Sequence, residues 1–278
     1  MKLEKIWAVY FSGTGTTRRT VERIAGGIAS RLNLPAESVD FSHPAVRQET
    51  LGFGEKDLVV FGTPVYAGRV PNVLLPFLRE RIVGGGALAV PVVLFGNRNY
   101  DDALIELRNI LAADGMHPIA AGAFVGEHSF SWVLGADRPN AEDEALMDEF
   151  AARVAELAAG LDAAPVKPVA VRGQEPLRPY YTPRDRAGNP INILKVKPKT
   201  DLSRCGGCGL CADLCPMGSI DPADVSAVRG ICIKCCACVK GCPTGAKFFD
   251  DAGYLYHQHE LEAQYARPAE NEVFYIQL

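Results

Sequence analysis

Over residues 1–126 short apolar runs alternate with stretches whose apolar residues recur every three or four positions. Residues 6–11 form the first apolar run, and Val21, Ile24, Ala25, Ile28 and Leu32 then share one helical face. Further runs predict strands at residues 38–41, 58–61, 87–95 and 118–125, with helices at 72–82 and 101–113 between them. Pro91 cannot donate to a ladder, so the fourth strand is expected to begin near Val92. A last helix is expected to open at Asn140 as N-cap, with Glu142, Asp143 and Glu144 at its positive end, and to close at Gly160. Strands alternating with helices in this way predict an α/β fold, a parallel sheet covered on both faces.

The pattern then breaks. Residues 163–200 carry seven prolines and eight Lys or Arg against two acids, which reads as an extended, locally basic linker (163–198). Its simplest reading is a solvated connector; its charge suggests docking of an acidic redox partner as a second reading. All nine cysteines fall within residues 205–242. A secreted disulfide scaffold spreads its cysteines over the fold it staples, whereas clustering points to metal.

Cys205, Cys208, Cys211 and Cys215, followed by Pro216, fit C-x2-C-x2-C-x3-C-P, and Cys232, Cys235, Cys238 and Cys242, followed by Pro243, fit it again. In such a pair three thiolates of one run hold one cluster and the fourth reaches the other. One cluster therefore takes Cys205, Cys208, Cys211 and Cys242, the other Cys232, Cys235, Cys238 and Cys215. Zinc is the rival, but structural zinc uses CxxC pairs separated by longer loops. Cys236 is out of frame and reads as a small buried side chain. Gly206, Gly207, Gly209, Gly218 and Gly241 let backbone amides approach sulfide. Residues 199–250 resemble bacterial two-cluster 4Fe-4S ferredoxins, a family that carries electrons singly.

Directly after the first strand come Ser12, Gly13, Thr14, Gly15, Thr16 and Thr17, then a helix, an order that sets N–H groups and hydroxyls where a phosphate sits. The pattern is not GxGxxG, which disfavours a dinucleotide. Arg18 and Arg19 read as solvated helix residues. The third strand runs into Thr63, Pro64, Val65, Tyr66, Ala67 and Gly68, and the fourth into Gly96, Asn97, Arg98, Asn99 and Tyr100. Tyr66 and Tyr100 are candidate stacking partners for a flat ring, and Gly68 is free to turn a carbonyl toward it. His128 and Ser129, after the fifth strand, are placed where they could border such a ring, but a lone loop histidine more often faces solvent, and neither is counted in the site.

Residues 1–160 resemble flavodoxins, which implies FMN and a doubly wound five-stranded parallel sheet of order 2-1-3-4-5, with the ligand at the switch point. Thr16 stands where many flavodoxins have Asn. With YFSGTGTT, GTPVYAGRVP, FGNRNYDDAL and GEHSF ahead of the cysteine motifs, the chain resembles flavodoxin-ferredoxin fusion proteins of anaerobic microbes. The resemblance implies an FMN domain (1–162), the linker and a small α+β ferredoxin-like domain (199–250) with two 4Fe-4S clusters; in the remaining extension (251–278) the sequence pattern predicts a helix at 254–266 and a short strand at 272–277 that docks on either module or on a second subunit. It also implies an electron carrier serving redox-partner proteins; the alternatives are a reductase of a small substrate fed by its ferredoxin domain, and an oxygen-responsive redox sensor.

Charge and length add exclusions. With a net charge of -4 over 278 residues there is no basic field for nucleic acid. The longest charge-free stretch, residues 82–97, is 16 residues, short of the roughly 20 a membrane helix needs. No secretory signal opens the chain, so a cytoplasmic location is expected.

Overall fold

The computed structural model of the chain describes residues 2–277. Its first part runs β1 (Lys5–Tyr10), α1 (Thr16–Leu32), β2 (Ala36–Asp40), β3 (Asp57–Pro64), α2 (Leu75–Glu80), β4 (Leu88–Phe95), α3 (Ala103–Ala113), β5 (Ala120–Val125) and α4 (Ala141–Gly160). The strands are parallel in the expected order β2-β1-β3-β4-β5. Alternation along the strands feeds two cores: Leu58 and Val60 face α1 and α4, whereas Val59 and Phe61 face α2 and α3. Asn140 caps α4 as expected, in a reciprocal box with Asp143.

Three local expectations are corrected. β4 begins at Leu88, and Pro91 is paired with Phe61 inside it. Ala89 pairs with Pro118 but Val92 with Gly122, a one-residue slip that interrupts the ladder on the side where a Pro91 N–H would point, so none is missed. The segment after Pro71 starts as a 3-10 turn, Asn72–Leu74, and becomes α-helical only at Leu75, because Pro76 supplies no N–H to the first turn. Residue 101 has φ 43° and stays outside α3.

The cysteine-rich part is small. Lys199–Thr200 pairs antiparallel with Lys247–Phe248, drawing its ends together around α5 (Leu210–Asp213) and α6 (Ala237–Lys240). After it comes α7 (Ala252–Gln264), capped by the Asp251 side chain, and then β6 (Glu272–Tyr275). β6 adds antiparallel to β5, with Glu272 opposite Ala123 and Tyr275 opposite Ala120. Val273 and Tyr275 pack toward α4, Phe274 packs toward the opposite core, and Ile276 touches both. The extension thus covers a sheet edge that would otherwise offer unpaired backbone.

The linker is not a free connector. It holds no helix among the described residues and lies across the first domain: Val169 N–H donates to Pro118 O (2.8 Å) and Tyr181 N–H to Ala67 O (2.9 Å). Its anchor is Asp102, fully buried, which accepts from the backbone N–H groups of Gln174 (3.0 Å) and Arg178 (2.8 Å) and from the Arg178 guanidinium. Burial raises this carboxyl, but the donors outweigh it and hold it below its usual value of 3.8. The anchor is therefore complete above that ordinary value and fades as pH falls through the depressed one. Asp102→Ala is expected to cost about 1–3 kcal/mol, the penalty for orphaning such donors, and to expose the linker to trypsin; denaturant unfolding and limited proteolysis check both.

Candidate cofactor sites

The first strand delivers its loop to the start of α1. Gly15, at φ 88°, is the N-cap and offers no side chain to the helix donors. The loop is braced from behind: Ser12 N–H donates to Ser42 Oγ (2.7 Å), and Ser12 Oγ accepts from Arg18 N–H (3.2 Å). Gly13, Thr14, Thr16 and Thr17 line a small cavity of about 70 Å3 together with Pro64, Gly126 and Glu127. Uncapped N–H groups, threonine hydroxyls and the positive helix end suit a phosphate. A broader polar cleft of about 460 Å3 is also lined by Thr14 and Thr16, with Arg19, Trp132 and Lys240; Arg19 is exposed there, as expected of a solvated helix residue.

A second cavity, about 350 Å3, continues from the first. The two share Val65, Tyr66, Phe95, Gly96, His128 and Ser129. Ala67, Gly68, Arg98 and Asn99 complete the side expected from the loops after β3 and β4. The remaining walls come from afar: Tyr180, Tyr181, Ile193 and Leu194 of the linker, Ile231, Cys232, Ile233 and Lys234 of the cysteine-rich part, and His257 of α7. Arg98 lies over the Tyr181 ring at 4.7 Å, and that ring stacks with His257 at 6.1 Å. An apolar slot with a few polar groups at its rim fits a flat heteroaromatic ring.

Tyr66 and Arg69 exchange backbone hydrogen bonds (3.0 and 3.1 Å) around Ala67 and Gly68, at φ 52° and 78°. This is a mirror-image turn in which alanine, with its Cβ, is strained. Both of its carbonyls are engaged, Ala67 O by Tyr181 N–H and Gly68 O by Asp102 N–H (3.0 Å). The Gly68 carbonyl is therefore tied before any ring arrives. A Cβ at Gly68 would lie 2.3 Å from Asp101 Oδ2 and at φ 78° would be strained, so a side chain there would have to displace Asp101.

The thiols sort around two further cavities. One, about 170 Å3, is lined by Cys205, Cys208, Cys211 and Cys242; the other, about 20 Å3, by Cys215, Cys232, Cys235 and Cys238, with Cys236 beside them. Among the described residues no three His, Cys, Asp or Glu side chains could hold a single metal ion. Each quartet lines a shared space. The fourth cysteine of each run accepts a backbone N–H four residues on: Ser219 to Cys215 Sγ (3.3 Å) and Ala246 to Cys242 Sγ (3.2 Å). Buried Lys247 lines the first space and brings a cation to its thiolates. Burial pushes the Cys235 and Cys238 thiols up to about 12, so a bound metal must supply the positive charge that ionises them.

The odd thiol follows from a local repeat. Gly209 and Cys236 each follow the second cysteine of their run and open α5 and α6 with φ 74° and 59°; Gly207 and Lys234 match likewise at 70° and 54°. Cys236 fills a left-handed position that glycine fills in the first run, and its Sγ turns to Tyr254 Oη (3.4 Å).

Two family models match the chain: a flavodoxin domain over residues 8–97 and a 4Fe-4S binding domain over residues 198–221. The chain joins a flavodoxin domain to a 4Fe-4S domain. The order is the one the sequence resemblance implies. No curated protein matches the chain. Among solved structures, a flavodoxin from the domain Archaea is similar at 17% identity over 55% of this chain and 96% of its own, with TM-score 0.41. A short-chain flavodoxin associated with a bacterial microcompartment is similar at 17% over 57% and 99%, TM-score 0.39. A Fusobacterium nucleatum flavodoxin variant bound to flavin mononucleotide is similar at 16% over 57% and 95%, TM-score 0.35. A flavodoxin domain implies FMN, and a 4Fe-4S domain implies a cluster.

Five expected flavin residues do not line the flavodoxin-domain cavities: Ser12, Gly15, Thr63, Asn97 and Tyr100. Ser12 and Gly15 shape the loop. Thr63 is fully buried with Oγ1 unpartnered among the described residues. Asn97 is taken by the C-terminal segment, its Nδ2 donating to Tyr265 O (2.6 Å) and its Oδ1 accepting from Ala269 N–H (2.9 Å). Tyr100 is core, 5.5 Å from Phe95 with its hydroxyl on Glu272 (2.6 Å), and stacks on no ligand space. His128 and Ser129 are the opposite correction, lining both cavities. Their signal was positional, since they follow β5 at the same sheet edge as the other loops.

Proposed function

We propose that the chain relays single electrons between FMN and two 4Fe-4S clusters and exchanges them with a redox-partner protein. The FMN phosphate is assigned to Gly13, Thr14, Thr16 and Thr17, and its ring to the space beside Val65, Tyr66, Gly96 and Arg98. The clusters are assigned to Cys205, Cys208, Cys211 and Cys242, and to Cys215, Cys232, Cys235 and Cys238. One observation carries the reading: Cys232 lines the larger flavin cavity and Cys235 the smaller one, and a Cβ built on Gly13 would lie 3.1 Å from Cys235 Cβ. The inner cluster's ligands thus belong to the flavin's own walls, while exposed Cys208 belongs to the outer quartet.

When bound, FMN supplies one- and two-electron chemistry and each cluster a single electron. The chain's residues hold, orient and dry these groups. Tyr180, Tyr181, Ile193 and Leu194 close the ring space from the linker side, and Lys234 fixes that wall by donating to Leu194 O (2.9 Å). A reductase needs room for a substrate beside the flavin. The ring cavity of about 350 Å3 sits at the low end of the roughly 300–1,000 Å3 that holds one small ligand, which favours a carrier. The proposed setting is an oxygen-poor cytoplasm, where thiolates stay reduced; no helix among the described residues is long and apolar enough to cross a membrane.

Protein purified anaerobically is expected to contain about one FMN with about eight iron and about eight sulfide per chain, the content of two such clusters. Cys238→Ser is expected to lose about half the iron and one EPR signal of the reduced protein, whereas Cys236→Ser keeps both. Zinc in place of iron, or cluster loss in the Cys236 variant alone, contradicts the assignment.

A further inference from the structure

We propose that His128 is a flavin-binding residue whose Nε2–H donates a hydrogen bond to the ring system and favours the reduced, anionic flavin. The inference rests on the FMN reading above and adds a group that the loops after β1, β3 and β4 do not contain. His128 stands where the two cavities meet, lining both.

Its ring is held in one orientation. The imidazole packs over Gly96 so closely that a Cβ there would lie 2.5 Å from His128 Cδ2. Phe130 meets it edge-on at 5.3 Å and 78°. Phe130 N–H donates to Nδ1 at 3.1 Å. Because Nδ1 accepts, the proton of the neutral ring is on Nε2. Nε2 has no protein hydrogen-bond partner among the described residues, which leaves its N–H free for a group in the cavity that His128 lines.

The ring is a neutral donor, not a cation. Burial holds it down to about 4, and His257 on α7, Lys240 on α6 and Arg98 after β4 push the same way against Glu262 on α7. A fixed, uncharged N–H on the cavity wall needs little reorganisation when negative charge appears on a neighbouring ring, and it interacts more strongly with the charged form than with the neutral one.

The test compares wild type, His128→Leu, which keeps bulk and removes the donor, and His128→Gln, whose amide offers N–H at similar reach. Each is purified anaerobically, assayed for FMN and iron, and titrated by visible spectroscopy against dyes of known potential. In the leucine variant the second one-electron flavin couple is expected to become about tenfold less favourable, or about 59 mV lower, with the cluster couples unmoved. The glutamine variant is expected to recover most of the shift. A leucine variant that titrates like wild type, or glutamine and leucine variants that fall alike, overturns the assignment and leaves His128 a packing residue. Wild-type protein that binds no FMN overturns the flavin reading itself and this one with it.

Discussion

The Gly13→Glu variant is expected to leave anaerobic purification with its iron and sulfide but without flavin. Two terms act at this position. A carboxylate among the loop amides meets the FMN phosphate as a like charge, and at about 4 Å and an effective dielectric near 20 each unit pair costs about 4 kcal/mol, roughly a thousandfold in affinity. The steric term is smaller: a Cβ here would lie 3.1 Å from Cys235 Cβ and 3.5 Å from Tyr66 Oη, a squeeze relieved by a few tenths of an ångström. Gly13→Ala, which carries only the steric term, is therefore expected to keep flavin with a modest loss of affinity, read from quenching of FMN fluorescence. Near-normal flavin content in the glutamate variant would remove the loop from phosphate binding.

What local sequence showed and what it hid divide along physical lines. The grouping of the thiols was legible because cysteine spacing decides which of them come together, and the two cavities divide the eight thiols as the spacing rule does. The flavin loops were legible because each follows an apolar strand and a parallel sheet brings those ends to one edge. Asn97 and Tyr100 sit in the expected loop, yet their side chains are captured by Tyr265, Ala269 and Glu272. That capture depends on β6 adding to β5, a long-range pairing that no local pattern encodes. The outer flavin wall was hidden similarly. Proline-rich, basic composition identifies a segment that cannot form a helix, but not that Asp102, buried among linker donors, pulls it down onto the first domain.

Cys236 shows how the two kinds of information combine. Its frame excludes it from the ligand pattern, and composition alone reads it as packing. The repeat of left-handed residues adds the reason a side chain survives there at all: Gly209 faces no neighbour within 4 Å of a built Cβ, whereas the Cys236 thiol is seated against Tyr254 Oη. Tyr254 lies on α7, stacked on Phe249 at 4.2 Å and packed with Phe130 at 4.7 Å. The odd thiol thus belongs to the seam that joins the 4Fe-4S domain to the loop carrying His128.

On the proposed relay, the contact between the domains sets how electrons are expected to move. Arg47 donates to Phe41 O (2.7 Å), Ser42 O (2.6 Å) and, across the domains, Pro216 O (2.5 Å). Lys240 donates to Glu127 and to Ser131 O. The domains are therefore docked and not merely tethered, with Cys232 and Cys235 already lining the two cavities assigned to FMN. Even a flexible tether gives an effective concentration of order mM, so at about 1 μM protein the internal route exceeds the bimolecular one by about a thousandfold, and docking adds to that. Flash photoreduction of the clusters under anaerobic conditions is expected to reduce the flavin at a rate independent of protein concentration across at least about a hundredfold dilution. Arg47→Ala removes one cross-domain donor without touching a cysteine or the phosphate loop. It is expected to slow the transfer while leaving it first-order, because the linker and β6 still hold the domains together. A rate proportional to concentration in the wild-type protein would mean that electrons pass between molecules, and the fused domains would then act as two separate carriers on one chain.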